Sequence, residues 1–192
     1  MPRLKEFDEA EVLDQALELF RVRGFQHTSF NDLVEELGVS RQSLYDTYGD
    51  KQALYLAALT RYQERGLARI RQQLDGPAPL RTRLAALFEG MVAGQCSNGS
   101  PGCLMVNSMV ELSPHDGDVR ALAHRHAHAI ETLFASSLSA ALRKGELAKD
   151  KDPVALARFL YHTMLGLAVA SRTHADQAGL RQTVQLALQA LG

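Results

Sequence analysis

The chain has 192 residues, 46% of them apolar, enough to bury a substantial core as one large domain or two small ones. A formal net charge of −1 and a pI near 6.7 exclude any argument for nucleic-acid binding from bulk charge, so local charge must decide. Two cysteines exclude a disulfide scaffold. No positively charged start leads into an apolar run, and no stretch approaches the roughly 18 uninterrupted apolar residues of a membrane span, the nearest being Met164 to Ala170. A cytoplasmic protein with no membrane partner is the expectation.

Apolar residues recur at helical spacing: Leu13, Ala16, Leu17 and Phe20, then Phe30, Leu33, Val34 and Leu37, then Leu44 and Tyr48. Strand-like alternation is not evident. Breakers fall at Gly24, Gly38, Gly49, the run Gly76 to Pro79, the run Ser97 to Gly102, Ser113-Pro114 and Asp152-Pro153. The spacing predicts an all-α chain of about nine helices, at 8–23, 30–37, 41–47, 51–75, 79–94, 101–113, 117–144, 152–174 and 177–190. The first three are too short to fold alone, so the start of the long fourth helix must close their core and tie it to the rest. We expect a helix-turn-helix unit at 1–50 and a C-terminal helical domain at 51–192.

Thr28 or Ser29 can cap the second helix and leave its first amides facing a phosphate. Gly38 sits where a left-handed C-cap is expected, Val39 returns to the core, and Ser40 caps the third helix. With Leu44 and Tyr48 turned inward, Arg41, Gln42, Ser43, Tyr45 and Asp46 face outward on a helix slim enough for the major groove. Arg41 can pair with guanine and Gln42 with adenine. Ser43 and Tyr45 can bond phosphates or touch a thymine methyl, each good base pairing being worth about 1 to 3 kcal/mol of discrimination. Asp46 would repel phosphate unless it accepts from a cytosine or orients Arg41, the role we favour. Lys51 is a candidate phosphate clamp, and Arg3 with Lys5 a candidate minor-groove arm. Against this, the segment through Lys51 carries six basic and eleven acidic residues, so attraction to phosphate must depend on a few well-placed bases, best doubled in a dimer.

The residues Ala16 to Phe20, Gly24-Phe25, Thr28-Ser29, Gly38-Val39-Ser40, Ser43-Leu44-Tyr45, Tyr48 to Lys51 and Leu54 together resemble the tetracycline-repressor (TetR) family. The resemblance covers about a quarter of the chain. It implies a homodimeric transcriptional regulator, usually a repressor, with 51–192 as a C-terminal helical ligand and dimerisation domain in which the signal acts. The family often has His then Phe where this chain has Thr47 then Tyr48. Thr47 can still bond a phosphate, while the Tyr48 hydroxyl needs a partner if buried.

Ser100-Pro101-Gly102-Cys103 reads as a helix start with cysteine in the first turn, where the helix dipole favours the reactive thiolate. The run Gly102 to Asn107 with Glu111-Leu112 resembles a subset of the same family in which a cysteine at this helix start senses electrophiles or oxidants. The competing account is a packed cysteine acting as a small hydrophobe. Cys96 can resolve an oxidised Cys103 only if the loop brings their Cα atoms within about 7 Å. His124 and His128, with Glu131 a turn on, have metal-compatible spacing, yet surface or core histidines explain most such pairs, and no metal or other cofactor is expected. Phe88, Met91, Met105, Met109, Phe134, Tyr161 and Met164 are candidate linings of an effector cavity, or plain core. The eighth helix, with Leu160, Gly166 and Ala170, and the ninth, with Leu180, Val184, Leu188 and Leu191, are apolar enough to face both the domain and a second subunit, as in a four-helix dimer interface.

The leading expectation is a DNA-binding regulator released from a double-stranded operator by a small-molecule or electrophile signal. The alternative is a helical ligand-binding or redox protein without DNA function. A cysteine enzyme is disfavoured, since no histidine is placed by local motif beside Cys103 and no phosphate loop is present.

Overall fold

A computed structural model describes residues 7–95, 102–173 and 176–192, so Arg3, Lys5 and Cys96 lie outside the described residues. Within these limits the chain forms nine α-helices and no strand. They are α1 (Glu9–Arg23), α2 (Phe30–Leu37), α3 (Arg41–Tyr48), α4 (Lys51–Leu74), α5 (Leu80–Gln95), α6 (Leu104–Glu111), α7 (Gly117–Lys144), α8 (Pro153–Ala170) and α9 (Gln177–Gln189), with a 3-10 turn at Ser171–Thr173. Seven helices start on a side chain that accepts otherwise orphaned amides: Asp8, Ser29, Ser40, Asp50, Asp116, Asp152 and Asp176. Gly38 ends α2 in the left-handed region, at φ 62° and ψ 22°, which only glycine enters freely and which reverses the chain into α3.

Two cores divide the molecule. The N-terminal core gathers Ala16, Leu17 and Phe20 of α1, Leu33 and Leu37 of α2, Val39, and Leu44 of α3. Leu54, Tyr55, Ala58 and Leu59 from the first half of α4 close it, and Leu104, Met105, Leu112, Val119 and Leu122 add the α6 region and the start of α7. Phe20 meets the Tyr55 ring edge-on at 4.9 Å between centroids, and Phe25 meets it at 4.8 Å. The second core takes Ile70 and Leu74 from the far half of α4, Phe88 from α5, Phe134 from α7, and Leu160 and Tyr161 from α8. Leu180, Val184 and Leu188 of α9 complete it.

Of the residues expected to face both the domain and a second subunit, Leu160, Leu180, Val184, Leu188 and Leu191 are buried inside the chain. The outward apolar side chains are Val154, Phe159 and Val169 on α8 and Leu186 on α9. Interrupted by Arg158 and His162, α8 still has the length and composition of a membrane span at mean hydropathy 1.3, while only 28% of it is buried. Its inner face packs on α7 and α9.

Between the cores lies a polar stratum. On α4, Leu59 belongs to one core and Ile70 to the other, and Gln63 falls between them. On α7, Ala123 and Ile130 divide likewise around His126. Both polar side chains are buried, and Gln63 Oε1 and His126 Nδ1 have no hydrogen-bond partner among the described residues. Burial pushes the His126 imidazole down to about 4, because desolvation opposes the charged form.

The sign of the resulting pH dependence follows. In the unfolded chain His126 protonates near pH 6.5, whereas in the fold it stays neutral down to about 4, so acid below pH 6.5 favours unfolding. Urea titrations should show stability falling between pH 6.5 and 4, with on the order of 2 kcal/mol of that loss absent from His126→Leu. Parallel profiles for wild type and variant would refute the assignment.

Candidate nucleic-acid interface

The helix-turn-helix is built from short helices whose exits are fixed by polar caps. Ser29, not Thr28, caps α2: its Oγ accepts from Asp32 N at 3.1 Å while Asp32 Oδ2 accepts from Ser29 N at 2.7 Å, a reciprocal capping box. Thr28 is fully buried and its hydroxyl donates to the Gly24 carbonyl at 2.7 Å, which removes it from the phosphate role expected for it. Ser40 caps α3 by accepting from Ser43 N at 3.1 Å, and its own hydroxyl donates to Ser43 Oγ at 2.8 Å.

On α3, Leu44 is fully buried while Arg41, Gln42, Tyr45 and Asp46 are exposed. Ser43 and Thr47 are half-buried at the flanks. The exposed residues are already held. Phe30, at the start of α2, stacks on the Tyr45 ring at 4.4 Å and 20°, and the Arg41 guanidinium lies 5.2 Å over Phe30 and 6.0 Å from Tyr45. Arg41 also donates to Asn31 Oδ1. Asp46 therefore does not orient Arg41 as expected. It accepts from Gln42 Nε2 at 2.7 Å, one turn earlier on the same helix. Phe30 and Asn31 escaped the sequence reading because their partners are on another helix, although Phe30 falls at the helical period of the core.

Lys51 also departs from expectation. Its ammonium donates to the Phe25 and Thr28 carbonyls, both at 3.0 Å, and lies 4.0 Å over the Phe25 ring. It fastens the α1–α2 turn to the start of α4 rather than reaching outward. Tyr48, for which a hydroxyl partner was sought, donates to the Glu9 carbonyl at 3.4 Å.

The acidic residues of this segment are largely engaged away from the exposed face of α3. Asp8, Asp32 and Asp50 are caps. Asp14 accepts from Arg61 and Arg65 of α4, and the Arg61 hydrogen bonds hold its carboxyl down to about 2 against the opposing effect of burial. Glu36 pairs with Arg23 and Glu18 with Arg21.

In the C-terminal part, α6 begins at Leu104, so Cys103 is the N-cap residue and not part of the first turn; its side chain makes no capping bond. The Tyr62 hydroxyl of α4 donates to Cys103 Sγ at 3.5 Å, and burial beside that sulfur raises the phenol well above its ordinary range. The seven expected cavity residues separate. Phe88, Phe134 and Tyr161 are buried in the second core with Met91 and Met164 packed against them, whereas Met105 and Met109 belong to the N-terminal core. Met109 and Tyr161 share a cavity of about 400 Å³ with His124, Arg120 and the turn at Ser113-Pro114. No group of three metal-ligating side chains occurs among the described residues, and Glu131 faces Arg158 at 3.9 Å.

A three-helix unit that presents a preorganised, polar third helix, joined through one long helix to a larger helical domain, is the architecture of a helix-turn-helix DNA-binding regulator. Residues 12–58 match the family model for bacterial regulatory proteins of the tetR family, and residues 79–187 match that for the tetracyclin repressor-like C-terminal domain. The chain belongs to the TetR family of transcriptional regulators. Over its whole length it is 37% identical to YezE of Bacillus subtilis, an uncharacterized HTH-type transcriptional regulator that it covers completely. It is 34% identical over 96% of its length to the HTH-type transcriptional repressor ComR of Escherichia coli, covering 88% of that protein. Among solved structures it is similar to a cysteine mutant of the TetR family regulator CifR complexed with 26-bp operator DNA, at TM-score 0.87 and 29% identity, over 99% of this chain and all of that one. These relatives are regulators of transcription, not enzymes.

The internal position of Lys51 separates two outcomes for its removal. Lys51→Met should cost about 1.5–3 kcal/mol of stability, the usual contribution of hydrogen bonds from a charged donor. The salt dependence of DNA affinity should keep its slope, whereas a lysine neutralising a phosphate would lower it by about one. Denaturation and binding isotherms at several salt concentrations read both.

Proposed function

We propose that the protein is a homodimeric repressor whose residues 1–50 bind a near-palindromic operator and whose residues 51–192 dimerise and receive the signal. The observation that carries the reading is the exposed cluster of Arg41, Gln42 and Tyr45 on α3, held in place by Phe30, Asn31 and Asp46 before any DNA arrives. Fixed side chains lose less entropy on binding, so each base contact is worth more. In this reading Arg41 and Gln42 contact bases, Ser43, Tyr45 and Thr47 contact phosphates or thymine methyls, and Ser29 offers the first amides of α2 to a phosphate. Thr28 and Lys51 act by fixing the turn that presents them. The complexed relative of 29% identity supports operator binding, and the repressor of 34% identity supports the direction of regulation.

Val154, Phe159 and Val169 on α8 and Leu186 on α9 supply the apolar face of a four-helix dimer interface, which also accounts for so apolar a helix with so little of it buried. A regulator that meets operator DNA acts in the cytoplasm. For the signal, two observations favour Cys103: it starts α6, and its sulfur accepts from Tyr62 on α4, the helix that carries the DNA-binding unit. Adduct formation or oxidation at Cys103 would break that contact and shift α6 against α4. A reversible ligand in the cavity at Met109 and Tyr161 is the second reading.

Mobility shift on the protein's own upstream DNA tests the first claim. Arg41→Ala and Tyr45→Ala should each weaken specific binding at least tenfold while leaving the fold intact, and retention of specific binding in both would overturn it. Cys103→Ser tests the second. Release of wild type from DNA by N-ethylmaleimide, with Cys103→Ser remaining bound, is expected; equal release of both would move the signal to the cavity.

A further inference from the structure

Asp46 is poorly placed for the folding of α3. It lies in the last turn of the helix, where the dipole opposes a carboxylate, and on the exposed face, where it repels phosphate. It caps no helix and pairs with no basic side chain among the described residues. The hydrogen bond it makes is the one it accepts from Gln42 Nε2 at 2.7 Å. Side chains that break local rules without a structural gain mark functional positions, so the reason for Asp46 is sought in what it does to Gln42.

A primary amide has two N–H donors and one carbonyl acceptor. A free glutamine can turn both hydrogens toward a base, and two donors suit guanine, whose major-groove edge carries the acceptors N7 and O6. Asp46 takes one of those hydrogens and fixes the nitrogen side of the amide, so Gln42 keeps one donor and Oε1. That pair matches adenine, with an acceptor at N7 and a donor at N6, and sets Oε1 against O6 of guanine, acceptor against acceptor. Where the groove excludes water the bond to Gln42 strengthens, because a carboxylate that lost it there would be desolvated and unpaired. Arg41 differs in kind: its guanidinium gives one N–H to Asn31 Oδ1 and still has only donors to offer.

We propose that Asp46 determines base specificity by positioning Gln42: it commits that side chain to adenine and rejects guanine at one position of each operator half-site. The proposal rests on the reading that α3 enters the major groove. Two neighbouring side chains are thereby set for different bases before they meet DNA, Arg41 by Asn31 for guanine and Gln42 by Asp46 for adenine. The charge that Asp46 brings to the interface weakens attraction to every sequence, and the gain is discrimination between sequences.

Selection of binding sites from a random duplex library by the full-length protein tests this, with wild type set against Asp46→Ala, Asp46→Asn and Gln42→Ala. Wild type should select adenine over guanine by about tenfold at one position per half-site, within what a good base pairing discriminates. Asp46→Ala should lose that preference at that position, while the guanine preference that depends on Arg41 persists. Asp46→Asn, which retains an acceptor at Oδ1 without the charge, should keep the adenine preference. Gln42→Ala should lose it, and adding Asp46→Ala to Gln42→Ala should change that position no further. A loss confined to one position and rescued by asparagine is not produced by general weakening or misfolding. An unaltered preference in Asp46→Ala overturns the proposal, as does a loss in Asp46→Asn equal to that in Asp46→Ala, or guanine at the position that depends on Gln42. If wild type selects no sequence, the repressor reading fails and this proposal with it; selection that survives unchanged in Asp46→Ala fails this proposal alone.

Discussion

Everything in this molecule depends on the continuity of α4. Its 24 residues contribute Leu54, Tyr55, Ala58 and Leu59 to the core of the DNA-binding unit and Ile70 and Leu74 to the core of the larger domain. Helices as short as α2 and α3, eight residues each, cannot hold themselves in water and exist because α4 completes their core. At its start Asp50 caps the helix and Lys51 grips the Phe25 and Thr28 carbonyls. A rigid helix rooted in two cores has no slack. A displacement imposed at one end must appear at the other, and two such units in a dimer would express it as a change in the separation of their recognition helices.

The acidity of the DNA-binding segment, an apparent objection to its function, has a physical resolution. Caps favour carboxylates because the positive end of a helix dipole faces them, and short helices need many caps per residue. A three-helix unit therefore accumulates aspartate for reasons of folding. What matters for DNA is where the charges point. Asp14 is turned onto Arg61 and Arg65, Glu36 onto Arg23, and Asp46 along α3 onto Gln42, while the Arg41 guanidinium remains at the surface beside Tyr45. Net charge integrates over these positions and loses the distinction.

The same contrast explains what the sequence could and could not convey. Helix positions were legible because period, caps and breakers are local: α2 and α7 begin and end where their glycines and caps place them. The choice of Ser29 over Thr28 was not, since both can cap and only the packing of Thr28 against Gly24 decides between them. Lys51 looked like a phosphate ligand because an exposed lysine at a helix start is one. Its partners lie 23 and 26 residues earlier and become neighbours only through the turn at Gly24. The apolar set from Phe88 to Met164 packs in or against a core, but periodicity gives a face and not the core it faces, so two methionines fell into the other core. At Cys103 local reading failed by three positions: the helix was expected from 101 and starts at Leu104, which makes the cysteine its N-cap.

That displacement changes how the C-terminal domain can speak to DNA. As an N-cap, Cys103 sits between a loop and a helix whose side chains reach the DNA-binding unit at three points. Ser108 Oγ meets the Tyr55 hydroxyl at 2.6 Å inside the N-terminal core, Glu111 accepts from the Gln26 amide, and just beyond α6 Asp116 accepts from Gln52. The Tyr55–Ser108 contact is buried, and burial pushes the Tyr55 phenol up to about 12, so the hydroxyl stays protonated throughout the physiological range and always available as a donor. Desolvated hydrogen bonds of this kind tolerate little change of length, whereas the solvated pair at Glu111 can lengthen and be replaced by water. A signal that moves α6 would therefore be transmitted through Ser108 and Tyr55 into α4 before it is dissipated at the surface, and α6, eight residues long, would then have more leverage over α3 than its size suggests.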